Sequence, residues 1–304
     1  MKALIAVDGS VGGFEAVRQA GQLLPPDRSQ VVLYYSPPSI KLNDGAIEPA
    51  VLDRARALLA RAVFDEAKAL LSDPLRTSAE SILSDQPARQ GIVAAADSVG
   101  ANLIAVGARG VGPIERLLLG SVSTSVVHTA RVPVLVARPR PADRQQQPLR
   151  VLIAFGSASD DGHLADVIKT FRWPAGTQGL TVSVVQSMFA GHVPVWLEER
   201  ARSEEVEAMA RAWVAEHTLE INNKRSEAAA FDDTLPEPWR PEQPMVVEGH
   251  PADQILATIS EKKIDLVVTG AGRRSAVTRF FMGSTSRTVL NQASCSVLIV
   301  GAAR

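Results

Sequence analysis

Apolar residues fall along this chain in short unbroken runs, separated by stretches where they recur every three or four positions. The first run, ALIAV (3–7), stops at Asp-Gly-Ser. A continuous run of that length predicts a strand buried on both faces. GGFEAVRQAGQLL follows, with Phe14, Val17, Ala20 and Leu24 at helical spacing. QVVLYY predicts a second strand. Residues 48–71 place Val51, Leu52, Ala55, Leu58, Leu59, Ala62 and Val63 on one predicted helical face. TSAESIL reads as a third strand. PARQGIVAAADSV reads as a helix with Pro87 near its first turn, where a missing N–H costs nothing. NLIAVG is a fourth strand, a glycine-rich stretch follows, a helix starts near Ser121, and VPVLVA (132–137) is a fifth strand.

The second half repeats this order. VLIAF is followed by a helix, TVSVV, a long helix from about Val195, MVVEG, a helix, DLVVTG, a helix and SVLIV. Gly107 and Gly270, Gly120 and Gly283, and Val134 and Val297 are each 163 positions apart. A repeat of this length means a duplicated domain rather than a solenoid. The seam lies in RPRPADRQQQPLR (138–150), rich in Pro, Gln and Arg and without apolar periodicity. It divides the chain into residues 1–139, a linker over 140–148, and residues 149–304. FDDTLPEPWRPEQP (231–244) reads as a long surface loop, because its prolines exclude a regular helix or a central strand. Fully apolar strands alternating with helices predict an α/β fold, a parallel sheet with helices on both faces in each half.

The stretch GARGVGPIERLLLGSVS (107–123) follows the fourth predicted strand, and Asp8 follows the first. In a strand order of 3-2-1-4-5 these two strands flank the point where the order reverses, the usual ligand site of an open parallel sheet. Gly107 and Gly110 lack a Cβ, which permits positive φ and a close backbone approach to a ligand. Gly120 and Ser121 sit where the next helix begins, with unpartnered N–H groups and the positive end of the helix dipole. Such a start seats an anion, most simply a phosphate. The hydroxyls of Ser121 and Ser123 can add hydrogen bonds, and Arg109 and Arg116 can add charge. Glycine after a strand is also ordinary punctuation, and serine before a helix an ordinary cap. Spacing alone leaves both readings open.

Composition narrows the classes. Of 304 residues 46% are hydrophobic and 21% charged, and the net charge is −1, without the basic excess of a nucleic-acid binder. No apolar run reaches the ~18 residues of a membrane span. The opening MKALIAVDGS is too short in apolar residues for a secretory signal. Cys295 is the only cysteine, so no internal disulfide forms, and a cytoplasmic location is expected. Cys295 itself falls in or beside an apolar strand and reads as inert core. The P-loop pattern and the G-x-S-x-G elbow are both absent. His128, His163, His192, His217 and His250 show no metal spacing. DDGH (160–163) reads as a helix opening. Asp85, Asp253 and Asp265 read as solvated or capping, and Trp196 and Trp213 as packing residues.

The motif G-x2-G-x9-G-[S/T], matched in full by GARGVGPIERLLLGS, together with IAVDGS, DQPARQGI and VPVLVA, resembles the universal stress protein family, duplicated in tandem. The resemblance implies a five-stranded parallel sheet in each half, Rossmann-like and of the adenine-nucleotide α-hydrolase-like type. It implies bound ATP, with Mg2+ as its accompanying ion, and pairing of units through their last strands; a further homodimer is compatible with it. Carried over by position, Asp8 accepts hydrogen bonds at the ribose or adenine end and Ala6 and Val7 line the adenine. Tyr35 presents a backbone group to the base. Val106 and Gly107 support sugar and phosphates, Arg109 lies in the loop, and Gly110, Gly120, Ser121, Val122 and Ser123 wrap the triphosphate. The second half departs from the motif: Arg273 replaces its second glycine, and Gly156 stands at the position of Asp8. ATP is therefore expected in the first half, with weak or no binding in the second. The sequence carries no dedicated set for fast phosphoryl transfer, so hydrolysis is at most slow and a regulatory, stress-response binding role is expected. A nucleotide hydrolase or transferase on the same fold and a ligand-free scaffold are the alternatives.

Overall fold

The structure is a computed structural model that describes residues 1–37, 48–110, 119–186, 204–236, 243–271 and 282–301. Arg116, His192, Trp196, Trp239 and Arg273 lie outside the described residues. The first half contains β1 (Lys2–Ala6), α1 (Val11–Leu23), β2 (Gln30–Tyr35), α2 (Pro49–Ala69), α3 (Asp73–Thr77), β3 (Glu80–Leu83), α4 (Ala88–Val99), β4 (Leu103–Gly107), α5 (Ser121–Thr129) and β5 (Val134–Ala137). The second contains β6 (Arg150–Ala154), α6 (Ala158–Thr170), β7 (Gln178–Val185), α7 (Glu204–Asp232), β8 (Met245–Glu248), α8 (Pro251–Glu261), β9 (Leu266–Gly270), α9 (Ser284–Gln292) and β10 (Ser296–Val300).

All ten strands form one sheet in the order β3-β2-β1-β4-β5-β10-β9-β6-β7-β8. The first five strands are parallel in the order 3-2-1-4-5, and the second five repeat that order from the other end. β5 and β10 meet antiparallel, with Leu135 opposite Leu298. The apolar runs are buried because helices cover both faces. Ile5, Leu33, Ala105 and Leu298 face one core with α1, α2 and α6, while Leu4, Val32, Ile104 and Val297 face the other with α4 and α8.

Several expectations give way. The helix over 48–71 forms, but Ala60, Phe64, Ala67 and Leu71 face the core, whereas Val51, Leu58 and Leu59 are exposed. Phe231 and Asp232 end a helix rather than opening a surface loop, and Phe231 and Leu235 are buried. Trp213 is 41% exposed on α7 rather than packed away. Asp265 is neither solvated nor a cap. Its carboxylate is 2% exposed and meets Arg140 at 3.1 Å and Arg144 at 2.6 Å, both from the seam. Its Oδ2 also accepts the Arg150 backbone N–H at 2.9 Å. Arg138 donates from its guanidinium to the carbonyls of Leu290 and Cys295. The seam is therefore fastened to the second half by ion pairs and hydrogen bonds. Cys295 is buried, and burial pushes its thiol up to about 12. Among the described residues no helix is long and apolar enough to cross a membrane.

Candidate functional site

β1 and β4 are hydrogen-bonded neighbours, and the chain leaves them toward opposite sides of the sheet. Their carboxyl ends open into a cavity of about 600 Å³. Ala6, Val7 and Asp8 line it from the end of β1, and Val106, Gly107, Arg109 and Gly110 from the end of β4. Gly120, Ser121, Val122 and Ser123 line it from the start of α5. Eleven of the twelve residues singled out in the sequence thus surround one space.

Tyr35 is the exception. Side chains alternate along a strand, and on β2 the Tyr34 and Ser36 positions face the cavity. Tyr35 turns to the opposite core, edge-on to Phe64 at 6.2 Å between ring centroids. Its carbonyl accepts the Ser84 N–H at 2.9 Å, so it is spent on the connection leaving β3. Burial, and secondarily the charge of Asp8, raises the Tyr35 phenol above its ordinary value. Tyr34 is 2% exposed, and its hydroxyl has no hydrogen-bond partner among the described residues. The absence of a side chain at Gly91 makes room for it, since a Cβ there would lie 2.0 Å from that hydroxyl. Gly13, Ala88, Ile92 and Leu119 complete the lining. Ala88 and Ile92 belong to the DQPARQGI block and share one face of α4 at a four-residue interval, a signal available in the sequence.

Of the two properties expected of the glycines, positive φ and close approach, only the second is used, and toward the protein's own atoms. Positive φ occurs at Gly9, Gly100, Gly176 and Gly249, not at Gly107 or Gly110. What Gly107 and Gly110 supply is close approach. A Cβ at Gly107 would lie 2.4 Å from the Gly12 carbonyl carbon, so the end of β4 and the start of α1 touch backbone to backbone. A Cβ at Gly110 would lie 2.3 Å from Asp8 Oδ2. The second motif glycine therefore clears space for the Asp8 carboxylate. Asp8 Oδ1 accepts the Ser10 backbone N–H at 3.0 Å and the Ser10 hydroxyl at 2.5 Å. Ser10 Oγ in turn accepts the Gly13 N–H and caps α1. Asp8 is held at the rim by its own turn.

At the other end, α5 begins at Gly120, whose N–H donates to the Ala108 carbonyl at 2.8 Å. Its cap residue, Gly120, has no side chain to cap it, and among the described residues no other side chain is found capping it. Its first N–H groups are thus available to an anion in the cavity. Ser121 is exposed at the first helical position. Ser123 is not a free donor: its hydroxyl donates to the Gly107 carbonyl at 2.6 Å and pins the first turn of α5 to the end of β4. Ser123 positions the helix start rather than offering its proton to a ligand.

The second half keeps this frame. Gly283 precedes α9 and donates to the Ala271 carbonyl at 2.8 Å, and the Ser286 hydroxyl donates to the Gly270 carbonyl at 2.6 Å. The floor is different. Gly156 stands where Asp8 does, and its carbonyl accepts Lys224 Nζ of α7 at 2.9 Å. Phe155, at the position of Val7, stacks on Phe231 at 4.7 Å between centroids.

A family model described as the universal stress protein family matches residues 1–138 and 151–301. The chain belongs to the universal stress protein family. A universal stress protein of Mycolicibacterium smegmatis is 28% identical over 210 residues, covering 67% of this chain and 63% of that relative. One from Mycobacterium tuberculosis is 49% identical over 53 residues, 17% of each chain. These matches span less than two thirds of the relatives' own length. A universal stress protein structure from Archaeoglobus fulgidus superposes with a TM-score of 0.57 at 20% identity, covering 99% of this chain and 98% of that one. That likeness is one of fold: the Rossmann-like α/β architecture extends over both halves.

Proposed function

We propose that this universal stress protein is an ATP-binding, stress-response regulatory protein that holds one nucleotide in its first half. The observation that carries the reading is the cavity that joins Asp8 at one end to the uncapped start of α5 at the other. A carboxylate suits sugar hydroxyls, which donate to it, and a bare helix N-terminus suits phosphates. A cavity of about 600 Å³ falls in the size range of small-ligand sites, roughly 300–1,000 Å³. Apolar Ala6, Val7, Ile92 and Val106 suit the base. Gly107, Gly110 and Gly120 keep the loop backbone bare beside the phosphates, with Arg109, Ser121 and Val122 around them.

Bound ATP supplies charge and shape rather than a group to be transferred. Among the described lining residues Asp8 is the only carboxylate and Arg109 the only cation. Accompanying Mg2+ is then held mainly by the phosphates. Fast phosphoryl transfer calls for a denser set of charges and an oriented nucleophile, so hydrolysis is slow at most. Nucleotide occupancy alters the surface at the end of β4 and the start of α5, which a partner reads.

In this reading residues 1–139 and 149–304 are two units joined by the linker 140–148, and the β5–β10 contact serves as an intramolecular dimer interface. The second unit acts as a packing partner. Mass spectrometry of small molecules released from the freshly purified chain tests the proposal. Intact ATP is the expected finding; spent products favour a hydrolase or transferase, and no nucleotide, with none bound on addition, rejects it.

A further inference from the structure

The seam RPRPADRQQQPLR (138–150) carries four arginines, and none of them lines the cavity of the first half. Three of them, Arg138, Arg140 and Arg144, line a second cavity of about 240 Å³, together with Lys263. This cavity lies where the chain enters β9 and β10, between the seam and the second half. Pro139 and Pro141 alternate with the first two arginines and fix φ there, so the seam holds its shape before any ligand arrives.

The charges around this space do not balance. Among the described lining residues four cations face two carboxylates, Asp143 and Asp265. Asp265 is the buried one, and Arg140 and Arg144 share it. The neighbouring Glu261 is taken by Lys262 at 2.8 Å. Arg138 donates to the carbonyls of Leu290 and Cys295 rather than to a carboxylate, and burial lowers its guanidinium below the ordinary value. Arg144 is 4% exposed, yet its Nε has no hydrogen-bond partner among the described residues. A partly buried space is thus left with an excess of positive charge and a buried donor to spare. An anion answers both needs, through charge-assisted hydrogen bonds.

The first half shows what the fold alone requires here. Gly100 and Lys263 stand 163 positions apart, each between a helix and the fourth strand of its half, at φ 65° and 51°. Glycine takes that conformation freely, and lysine takes it only against a steric cost. Lys263 is the only non-glycine residue with positive φ among the described residues, and it lines the cavity.

We propose that the seam cavity is a second anion site, separate from the nucleotide cavity, that seats a free phosphate-class anion: inorganic phosphate or pyrophosphate. Its volume is less than half that of the first cavity, too small for a base and sugar as well. Bound there, the anion ties residues 138–144 to the second half. The site stands whether or not the first half holds ATP.

Hydrogen exchange of the full chain, with and without sodium pyrophosphate at matched ionic strength, locates the anion. Slower exchange over 138–147 and 262–265 is expected. Slowing confined to 119–129, around the start of α5, overturns the proposal and leaves the nucleotide reading intact. Titration calorimetry with phosphate and with pyrophosphate then shows, by the tighter of the two, whether one or two phosphoryl groups are seated. Ser294 lines the cavity and is exposed, and Arg131 holds its position in the first half. Ser294→Glu is expected to weaken pyrophosphate at the seam at least about tenfold, and Ser294→Arg to tighten it about threefold, as charges beside a bound ion do. Lys263→Gly is expected to weaken it about threefold without lowering the melting temperature of the anion-free chain, since glycine suits that φ. An affinity indifferent to all three substitutions overturns the proposal. So does the absence of binding by either anion at about 10 mM, a tenfold excess over a weak millimolar site.

Discussion

At the carboxyl end of its first strand the first half carries Asp8, held by Ser10 and given room by Gly110; the second half carries Gly156, its carbonyl taken by Lys224. Above these different floors stands the same roof. Gly120 and Gly283 both open a helix, and Ser123 and Ser286 both fasten that helix to the preceding strand at 2.6 Å. The comparison separates two tasks that a single domain would leave entangled. The serine and the helix-opening glycine belong to the fold, since the half without a carboxylate keeps them. In the proposed reading the carboxylate and the glycine beside it serve the ligand.

The sharpest contrast in stability lies at the opposite ends of the strands. Asn102 Oδ1 accepts the Lys2 N–H in the first half, and Asp265 Oδ2 accepts the Arg150 N–H in the second. Only the second is charged, and only it is clasped by Arg140 and Arg144. Asp265→Ala leaves two arginines facing a buried space and is expected to cost about 3–5 kcal/mol, the usual cost of breaking a buried pair. Asn102→Ala is expected to cost only about 1 kcal/mol. Urea unfolding of the two variants checks the difference.

Next in size is the lesion in the cavity itself. Gly110→Val is expected to weaken ATP binding by about 100-fold, roughly 2.7 kcal/mol, because its side chain occupies the place of the Asp8 carboxylate. Circular dichroism should show an intact fold. An affinity unchanged in titration calorimetry would break the assignment of Gly110 to Asp8.

A third contrast lies inside the core. Leu33 stands opposite Ile5 in the first half, while Thr181 stands opposite Ile153 in the second. Thr181 donates to Asp232 at 2.5 Å, and burial pushes the Asp232 carboxyl up to about 6 from 3.8, opposed by that hydrogen bond. A raised carboxyl favours the folded state while it is protonated. Its contribution is whole below pH 3.8 and is lost as pH rises through about 6. Asp232→Asn is expected to remove this slope and to stabilise the chain at pH 8 by about 1–3 kcal/mol. Thermal unfolding between pH 5 and pH 8 measures it.

The smallest effects are the most discriminating. Ser123→Ala and Ser286→Ala are each expected to cost about 1 kcal/mol of stability. Only Ser123→Ala should also weaken ATP, by a few fold, because only its helix start seats phosphate. Parallel titrations of the two variants decide this.

Much of the fold was legible in the chain, because an apolar run ending in Gly or Asp can form little but a buried strand here. The ends of β1 and β4 followed from the pattern; of the eleven expected residues that line the cavity, Ala6, Val7, Val106 and Val122 were named only through the family resemblance. Tyr35, expected to present a backbone group, lies outside the lining because its carbonyl accepts the Ser84 N–H, a partner set by where β3 ends. The face of α2 failed because its exposed stripe, Val51 to Ala62, is as apolar as the buried one. Asp265 failed because its burial depends on arginines over a hundred positions away in the chain. Gly107 and Gly110 were expected to supply both positive φ and close approach; only room is needed, and it is set by Gly12 and Asp8, each distant in sequence.

Calorimetric titration of the full chain with ATP tests the contrast between the halves most directly. The expected result is one site per chain, lost in Gly110→Val and retained when Gly283 is replaced by Val. Two equal sites, or one site that survives Gly110→Val and disappears with Gly283→Val, would contradict it.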